Sequence, residues 1–172
     1  MVKNLLGLNQ LEFGQDDVQF ERFDITSLIS GVLQSLDILI EQKEAQVIFR
    51  HKNPVYVWAD EFKVEQVVRN YVNNALNHVD GEKVIEIKIT QENDMAKITV
   101  FNTGTPIPEE DLPHIWEKFY KVDKARTREY GGNGIGLSIV KAIMDSFHQR
   151  CGVINHEDGV EFWFELEKGK QS

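Results

Sequence analysis

The stretch RNYVNNALNH, residues 69–78, decides how the chain is read. Asn70, Asn74 and Asn77 stand at i, i+4 and i+7, so a helix lines them along one face. Val67, Tyr71, Val72 and Ala75 fall to the side of that stripe. Asparagine is a mediocre helix former. Three of them stacked on one face cost stability without structural return. A carboxamide oxygen is a neutral, hard ligand that suits Mg²⁺, an ion that keeps several waters and shares phosphate oxygens. A plain solvated face is the alternative, and this segment alone does not decide between them.

Outward from it, Asp60 is placed to cap the helix, and Asp80-Gly81 turns the chain after His78. Val84–Thr90 and Ala96–Val100 alternate apolar and polar residues around Glu92-Asn93-Asp94, an antiparallel hairpin facing a core. Upstream, Val18, Phe20 and Phe23 suggest a short strand. Asp24 caps a helix reaching Glu44, with Ile25, Leu28, Ile29, Val32, Leu33, Leu36 and Ile40 on one face. Val47–Arg50 and Val55–Trp58 read as strands around Asn53-Pro54. Downstream, residues 102–134 hold three of the four prolines and are too long for a plain connection. A helix from about Ile135 to Phe147 follows. Gly152–Asn155 and Val160–Glu165 form a last hairpin around Asp158-Gly159. The order predicts an α+β two-layer sandwich, a mixed, mostly antiparallel sheet covered on one face by about three helices.

Composition agrees with one folded unit: 172 residues, 41% hydrophobic and 27% charged. The formal charge is 19 − 28 = −9, which disfavours nucleic acid as a partner. Within this acidic chain, residues 118–128 hold five basic residues and one acid, a local +4 suited to a polyanion. The single cysteine, Cys151, excludes an internal disulfide and suits a reducing cytoplasm. No apolar run reaches the ~20 residues of a membrane span, and the first residues lack a signal-peptide cleavage pattern.

Three further stretches carry chemistry. GGNGIGLSIVK, residues 131–141, runs glycines into a helix start, where backbone N–H groups and the helix dipole favour an anion. It is neither a Walker loop nor a dinucleotide fingerprint. Gly136 falls in the helix's first turn, where glycine costs roughly 0.5–1 kcal/mol against alanine. VFNTGTPIP, residues 100–108, delivers a polar residue from a strand into a tight turn; an ordinary loop is the simpler reading. IWEKFY, residues 115–120, either packs aromatics into the core or hinges a closing loop.

Together and in this order, the four stretches resemble the catalytic ATP-binding domain of sensor histidine kinases, in the GHKL or Bergerat-fold superfamily. RNYVNNALNHV looks like its N box, VFNTGTPIP its first glycine box, WEKFYKVD its F box and GGNGIGLSIVKAI its second glycine box. LLGLNQLEFGQ…FERFDITSLI resembles the junction with a dimerisation helix. The resemblance divides the chain into a dimerisation-helix tail and linker at 1–14 and a catalytic domain at 15–172.

The resemblance implies ATP and Mg²⁺ as cofactors, with Asn74 the principal Mg²⁺ ligand and Asn70 helping at metal or phosphate. Asn77 and His78 would lie near the nucleotide. Asn102 stands where the family usually has an aspartate that accepts from the adenine amine, and Gly104 lets the base approach. Ile107, Tyr120, Ile135 and Leu137 would frame the nucleotide, and Gly132, Gly134 and Gly136 would flank the phosphates. Residues 121–133 would form a lid from which Arg126 or Arg128 reaches the γ-phosphate; the sequence does not choose between the two.

Three departures stand out. Asn102 keeps an acceptor but loses charge-assisted strength. Pro106 replaces the box's second glycine and stiffens that turn. Asn77 replaces a lysine and removes a phosphate-facing charge. Asn70 stands where hydrolysing relatives carry a glutamate base, so the expectation is ATP held for transfer to a histidine on a separate dimerisation domain. No acceptor box is recognisable in the chain. The implied partners are the dimerisation and histidine-phosphotransfer domain of the parent kinase and, downstream, a response regulator receiver domain. The fragment is expected to be monomeric and cytoplasmic, without membrane contact of its own, and its parent a homodimeric, membrane-anchored sensor. Rival expectations are a non-catalytic nucleotide-binding module, a GHKL serine kinase of the anti-sigma type, and a metal site from His148, Cys151 and His156, whose spacing matches no standard zinc pattern.

Overall fold

The computed structural model describes residues 18–120 and 136–169. The elements are β1 (Glu21–Asp24), α1 (Ile25–Ser35), α2 (Asp37–Gln42), β2 (Gln46–Phe49), β3 (Tyr56–Ala59), α3 (Glu61–His78), β4 (Val84–Glu92), β5 (Met95–Thr103), a 3-10 turn (Leu112–His114), α4 (Gly136–Ser146), β6 (Cys151–His156) and β7 (Gly159–Lys168). The strands form one sheet in the order β1-β3-β7-β5-β4-β2, with β6 also paired to β7. Every described pairing is antiparallel except β2 with β4. The expected α+β sandwich with a mixed, mostly antiparallel sheet is therefore what the chain adopts.

Alternation decides which face is buried. On β5, Ala96, Ile98, Val100 and Asn102 point into the core; on β7, Val160, Phe162, Phe164 and Leu166 do. Ile25, Ile29 and Val32 of α1, Val64, Val67, Val68, Tyr71, Val72 and Leu76 of α3, and Val140, Ile143 and Met144 of α4 close the same core. Tyr71 is fully buried against the Phe162 and Phe164 rings at 5.3 and 5.9 Å, and its hydroxyl donates to the Trp163 carbonyl at 3.0 Å. That bond and the two ring contacts seat the middle of α3 on the centre of the sheet.

Both predicted aspartate caps form. Asp24 accepts from the Thr26 N–H at 2.9 Å and Asp60 from the Lys63 N–H at 3.2 Å. The helix expected from Asp24 to Glu44 is instead split at Leu36 into α1 and α2, giving four described α-helices. At the break the Ser35 hydroxyl donates back to the Val32 carbonyl at 2.8 Å and receives Arg69 Nη1 at 2.9 Å. The Leu36 N–H still reaches the Val32 carbonyl at 3.1 Å, and the helix breaks at Leu36 itself, whose φ of −101° and ψ of 10° leave the helical region. The first strand starts at Glu21 rather than Val18, because only residues 21–24 pair with β3. β2 and β3, close in sequence, lie far apart in the sheet: β2 ends one edge beside β4, and β3 lies between β1 and β7.

Candidate functional site

Packing of α3 on the sheet buries Val64, Val67, Val68, Tyr71, Val72, Ala75 and Leu76 and leaves Asn70, Asn74, Asn77 and His78 half-buried on another face. α4 packs beside α3 and begins at Gly136. A Cβ added to Gly136 would stand 3.4 Å from Asn70 Oδ1 and 3.9 Å from its Cγ. The carboxamide stripe and the glycine-led helix start therefore adjoin each other. Gly136, Leu137 and Ser138 open an 11-residue helix whose first N–H groups lack carbonyl partners within it. That end carries the positive pole of the helix dipole beside neutral amide oxygens, an arrangement that favours an anion over a cation alone.

The C-terminal end of α3 is fastened to the start of the proline-containing loop. Thr103 Oγ1 donates to the Asp80 carbonyl at 2.8 Å and accepts from the Val84 N–H at 3.0 Å, while the Asp80 N–H donates to the Thr103 carbonyl at 2.9 Å. Gly104 follows with φ +149°. A Cβ there would lie 2.8 Å from the His78 carbonyl oxygen, so only glycine lets the loop pass this close to the helix end. Asn102 is 2% exposed on the helix-facing side of β5. Its Nδ2 donates to the Thr103 carbonyl at 3.1 Å. One of its two amide hydrogens is thus given to the backbone.

Beyond Pro106, Ile107 is half-buried and packs on the core. Its N–H donates to Asn155 Oδ1 at 3.0 Å and its carbonyl accepts from Asn155 Nδ2 at 2.7 Å. Further along, Ile115 is buried and the Trp116 ring meets Phe162 edge-on at 5.9 Å, so this end of the segment is a packing device. Tyr120 donates to Asp111 and stacks on His114 at 5.2 Å. The bond to Asp111 pushes its phenol above the usual value. No described contact joins Tyr120 to the α3 stripe. Arg126, Arg128, Gly132, Gly134, Ile135, the predicted lid and the predicted 1–14 segment lie outside the described residues.

The carboxamide oxygens of Asn70 and Asn74 are neutral, hard donors of the kind a divalent ion would share with other oxygens. Among the described residues no group of three or more His, Cys, Asp or Glu could hold an ion, so the stripe's carboxamides would need phosphate oxygens to complete a shell. The same observation removes the zinc alternative. Cys151 and His156 occupy opposite ends of β6, and His156 pairs outward with Glu161 at 2.9 Å. Burial also pushes the Cys151 thiol up, away from a reactive thiolate. The residues that sequence reading missed are Thr103 and Asn155. Asn155 had a faint signal: a carboxamide on the inward parity of a strand whose Cys151 and Val153 are the other inward residues.

Comparison with known proteins places this geometry. Residues 59–170 match the family described as histidine kinase-, DNA gyrase B-, and HSP90-like ATPase. The sensor histidine kinase WalK of Bacillus subtilis (strain 168) is 32% identical over 150 residues, covering 85% of this chain and 24% of WalK. The chain spans about a quarter to a third of the length of the curated relatives it matches. The nucleotide-free catalytic domain of the histidine kinase ThkA superposes with a TM-score of 0.77 at 30% identity, over 87% of this chain and 96% of that one. ThkA in complex with the response regulator protein TrrA gives a TM-score of 0.76 at 26% identity, over 98% of this chain and 49% of that one.

Proposed function

This chain belongs to the histidine kinase-, DNA gyrase B-, and HSP90-like ATPase family, as the ATP-binding catalytic domain of a sensor histidine kinase, and on that premise we propose that it presents Mg-ATP to a histidine on a separate dimerisation domain. The observation that carries this reading is the approach of Asn70 to Gly136 at the junction of α3 and α4.

In this reading Asn74 and Asn70 would hold Mg²⁺ beside the triphosphate. When bound, the ion neutralises charge on the triphosphate. The first N–H groups of α4 meet phosphate oxygens, and Asn102 Oδ1 accepts from the adenine amine. Ile107 and Leu137 supply apolar walls, with Asn77 and His78 nearby. Tyr120 of the F box, and Gly132, Gly134, Ile135 and one of Arg126 or Arg128 between the F box and α4, complete the set. Phosphoryl transfer depends on positioning and charge neutralisation more than on covalent help from the protein. The acceptor imidazole nitrogen attacks the γ-phosphorus in line, the bond to the β–γ bridging oxygen breaks, ADP departs with that electron pair, and the imidazole gives up its N–H proton. Asn70 has no carboxylate to activate water, so hydrolysis competes poorly.

Partner choice follows the same line. The acceptor lies on the dimerisation domain of a homodimeric, membrane-anchored parent, in the cytoplasm, and the phosphoryl group then passes to a response regulator receiver domain. No described helix is long and apolar enough to cross a membrane. The test is to incubate the chain with Mg²⁺, radiolabelled ATP and a separate acceptor-helix domain. Acid-labile label on the acceptor is expected. Asn74→Ala should remove it and should remove Mg²⁺-dependent ATP binding, with the melting temperature kept. Absence of phosphohistidine with every acceptor domain offered, or unchanged ATP affinity in Asn74→Ala, would sink the reading.

A further inference from the structure

Ile107 is held by a side chain that none of the four sequence motifs includes. Asn155 accepts the Ile107 N–H on Oδ1 at 3.0 Å and returns an Nδ2–H to the Ile107 carbonyl at 2.7 Å. One planar carboxamide thus does what a neighbouring strand does in a ladder. Pro106 and Pro108 have no N–H, so the Ile107 N–H is the sole backbone donor of residues 106–108. Pro108 also biases Ile107 toward extended backbone, the conformation in which N–H and carbonyl can meet one partner together.

Register explains why Asn155 is there. It pairs with Val160 on β7, and the opposite neighbour of Val160 is Asn102 on β5. Asn102, Val160 and Asn155 therefore form one row across three strands. Asn102 and Val160 are buried on the helix-facing side, and register sets Asn155 on that side too. Neighbouring strands lie about 4.8 Å apart, so the backbone that leaves β5 after Thr103 crosses on the order of 10 Å before it is fastened. Gly104 anchors the near end, its N–H donating to the Asp158 carbonyl at 3.0 Å.

We infer that Asn155 is a positioning residue for nucleotide-base binding: it ties the Gly104–Ile107 strap across the row that starts at Asn102, and so sets the wall on which the base rests. The inference rests on the reading that Asn102, Gly104 and Ile107 meet adenine. It also gives Pro106 a place: the turn it stiffens is fixed at its far end by Asn155. Asn155 touches backbone and not phosphate, so its effect belongs to the base half of the ligand.

The test compares ATP with inorganic tripolyphosphate, which has the charge but no base, on the full 172-residue chain with Mg²⁺. ATP is titrated calorimetrically; tripolyphosphate is measured by displacement of a fluorescent ATP analogue. Asn155→Ala should weaken ATP about ten-fold, the equivalent of one to two neutral hydrogen bonds, and leave tripolyphosphate unchanged. Asn155→Asp keeps the acceptor for the Ile107 N–H but sets a carboxylate oxygen against the Ile107 carbonyl, so it should weaken ATP at least as much. Equal weakening of both ligands, or full ATP affinity in both variants, overturns the inference. If Asn155→Ala melts below the assay temperature, Asn155→Asp carries the same comparison alone. Asn102→Ala separates the levels. ATP affinity unchanged in it means the base-site reading has failed; ATP weakened in it but in neither Asn155 variant means only the positioning role has failed.

Discussion

The carboxamide oxygen of Asn70 lies 3.4 Å from the point that a Cβ on Gly136 would occupy, across the boundary between α3 and α4. Two residues 66 positions apart thus stand side by side (136 − 70 = 66). On one side is a neutral oxygen. On the other is backbone at a helix N-terminus with no side chain in the way.

Gly136→Ala should separate stability from binding. A methyl at 3.4 Å is in ordinary contact with Asn70, and alanine in a helix gains about 0.5–1 kcal/mol over glycine. The melting temperature should therefore hold or rise. The same methyl adds bulk beside the α4 N–H groups that a phosphate oxygen would reach, so ATP affinity should drop about ten-fold or more. Calorimetric titration beside a thermal melt checks both. A variant that loses stability and keeps affinity would make Gly136 a packing residue only.

Gly104→Ala and Gly31→Ala should move stability in opposite directions. At Gly104, φ is +149° and the new Cβ would lie 2.8 Å from the His78 carbonyl oxygen, a backbone atom that cannot swing aside. The cost should be about 1–3 kcal/mol. Gly31 is exposed within α1 with nothing within 4 Å of a new Cβ, so alanine there should add about 0.5–1 kcal/mol. Urea unfolding midpoints of the two variants decide it; a shift of the same sign in both would contradict this account of the turn.

Asp24 should give the fold an acid-sensitive component. Desolvation pushes its carboxyl up, but hydrogen bonds from the Thr26 and Ser27 hydroxyls and N–H groups outweigh it and leave the group below the usual aspartate value. With the folded pKa below the unfolded one, the stabilisation is complete above the unfolded value and is lost as pH falls through the folded one. Asp24→Asn keeps a competent cap and deletes this titration. Its stability should fall less steeply than the wild type below about pH 4, as read by urea melts across that range. An unchanged acid limb would mean that the carboxylate of Asp24 contributes nothing there.

The amphipathic period of α3, the caps at Asp24 and Asp60 and the alternation on β4, β5 and β7 were legible because each is a local property of a few consecutive residues. The split at Leu36 was not, since the apolar period from Ile25 to Ile40 runs through it unbroken. The remote placement of β2 from β3 was equally hidden, since pairing partners are chosen across the sheet and not by neighbourhood in the chain. Asn70, Gly104 and Gly136 were legible as residues out of place in their elements: a polar stripe, a glycine at a strand end, a glycine in a first helical turn. Asn155 looked like any polar residue in a hairpin strand.

The sequence by itself determined the element types, the inward faces, the α+β class and the residues suited to hold an anion, since all of these follow from side-chain chemistry at fixed helical and strand periods. Only the tertiary structure decided that Asn70 borders Gly136, that Gly104 passes under the end of α3, and that Asn102 and Asn155 share one row. Those are distances between segments far apart in the chain, and they exist only once apolar burial has closed the helices onto the sheet.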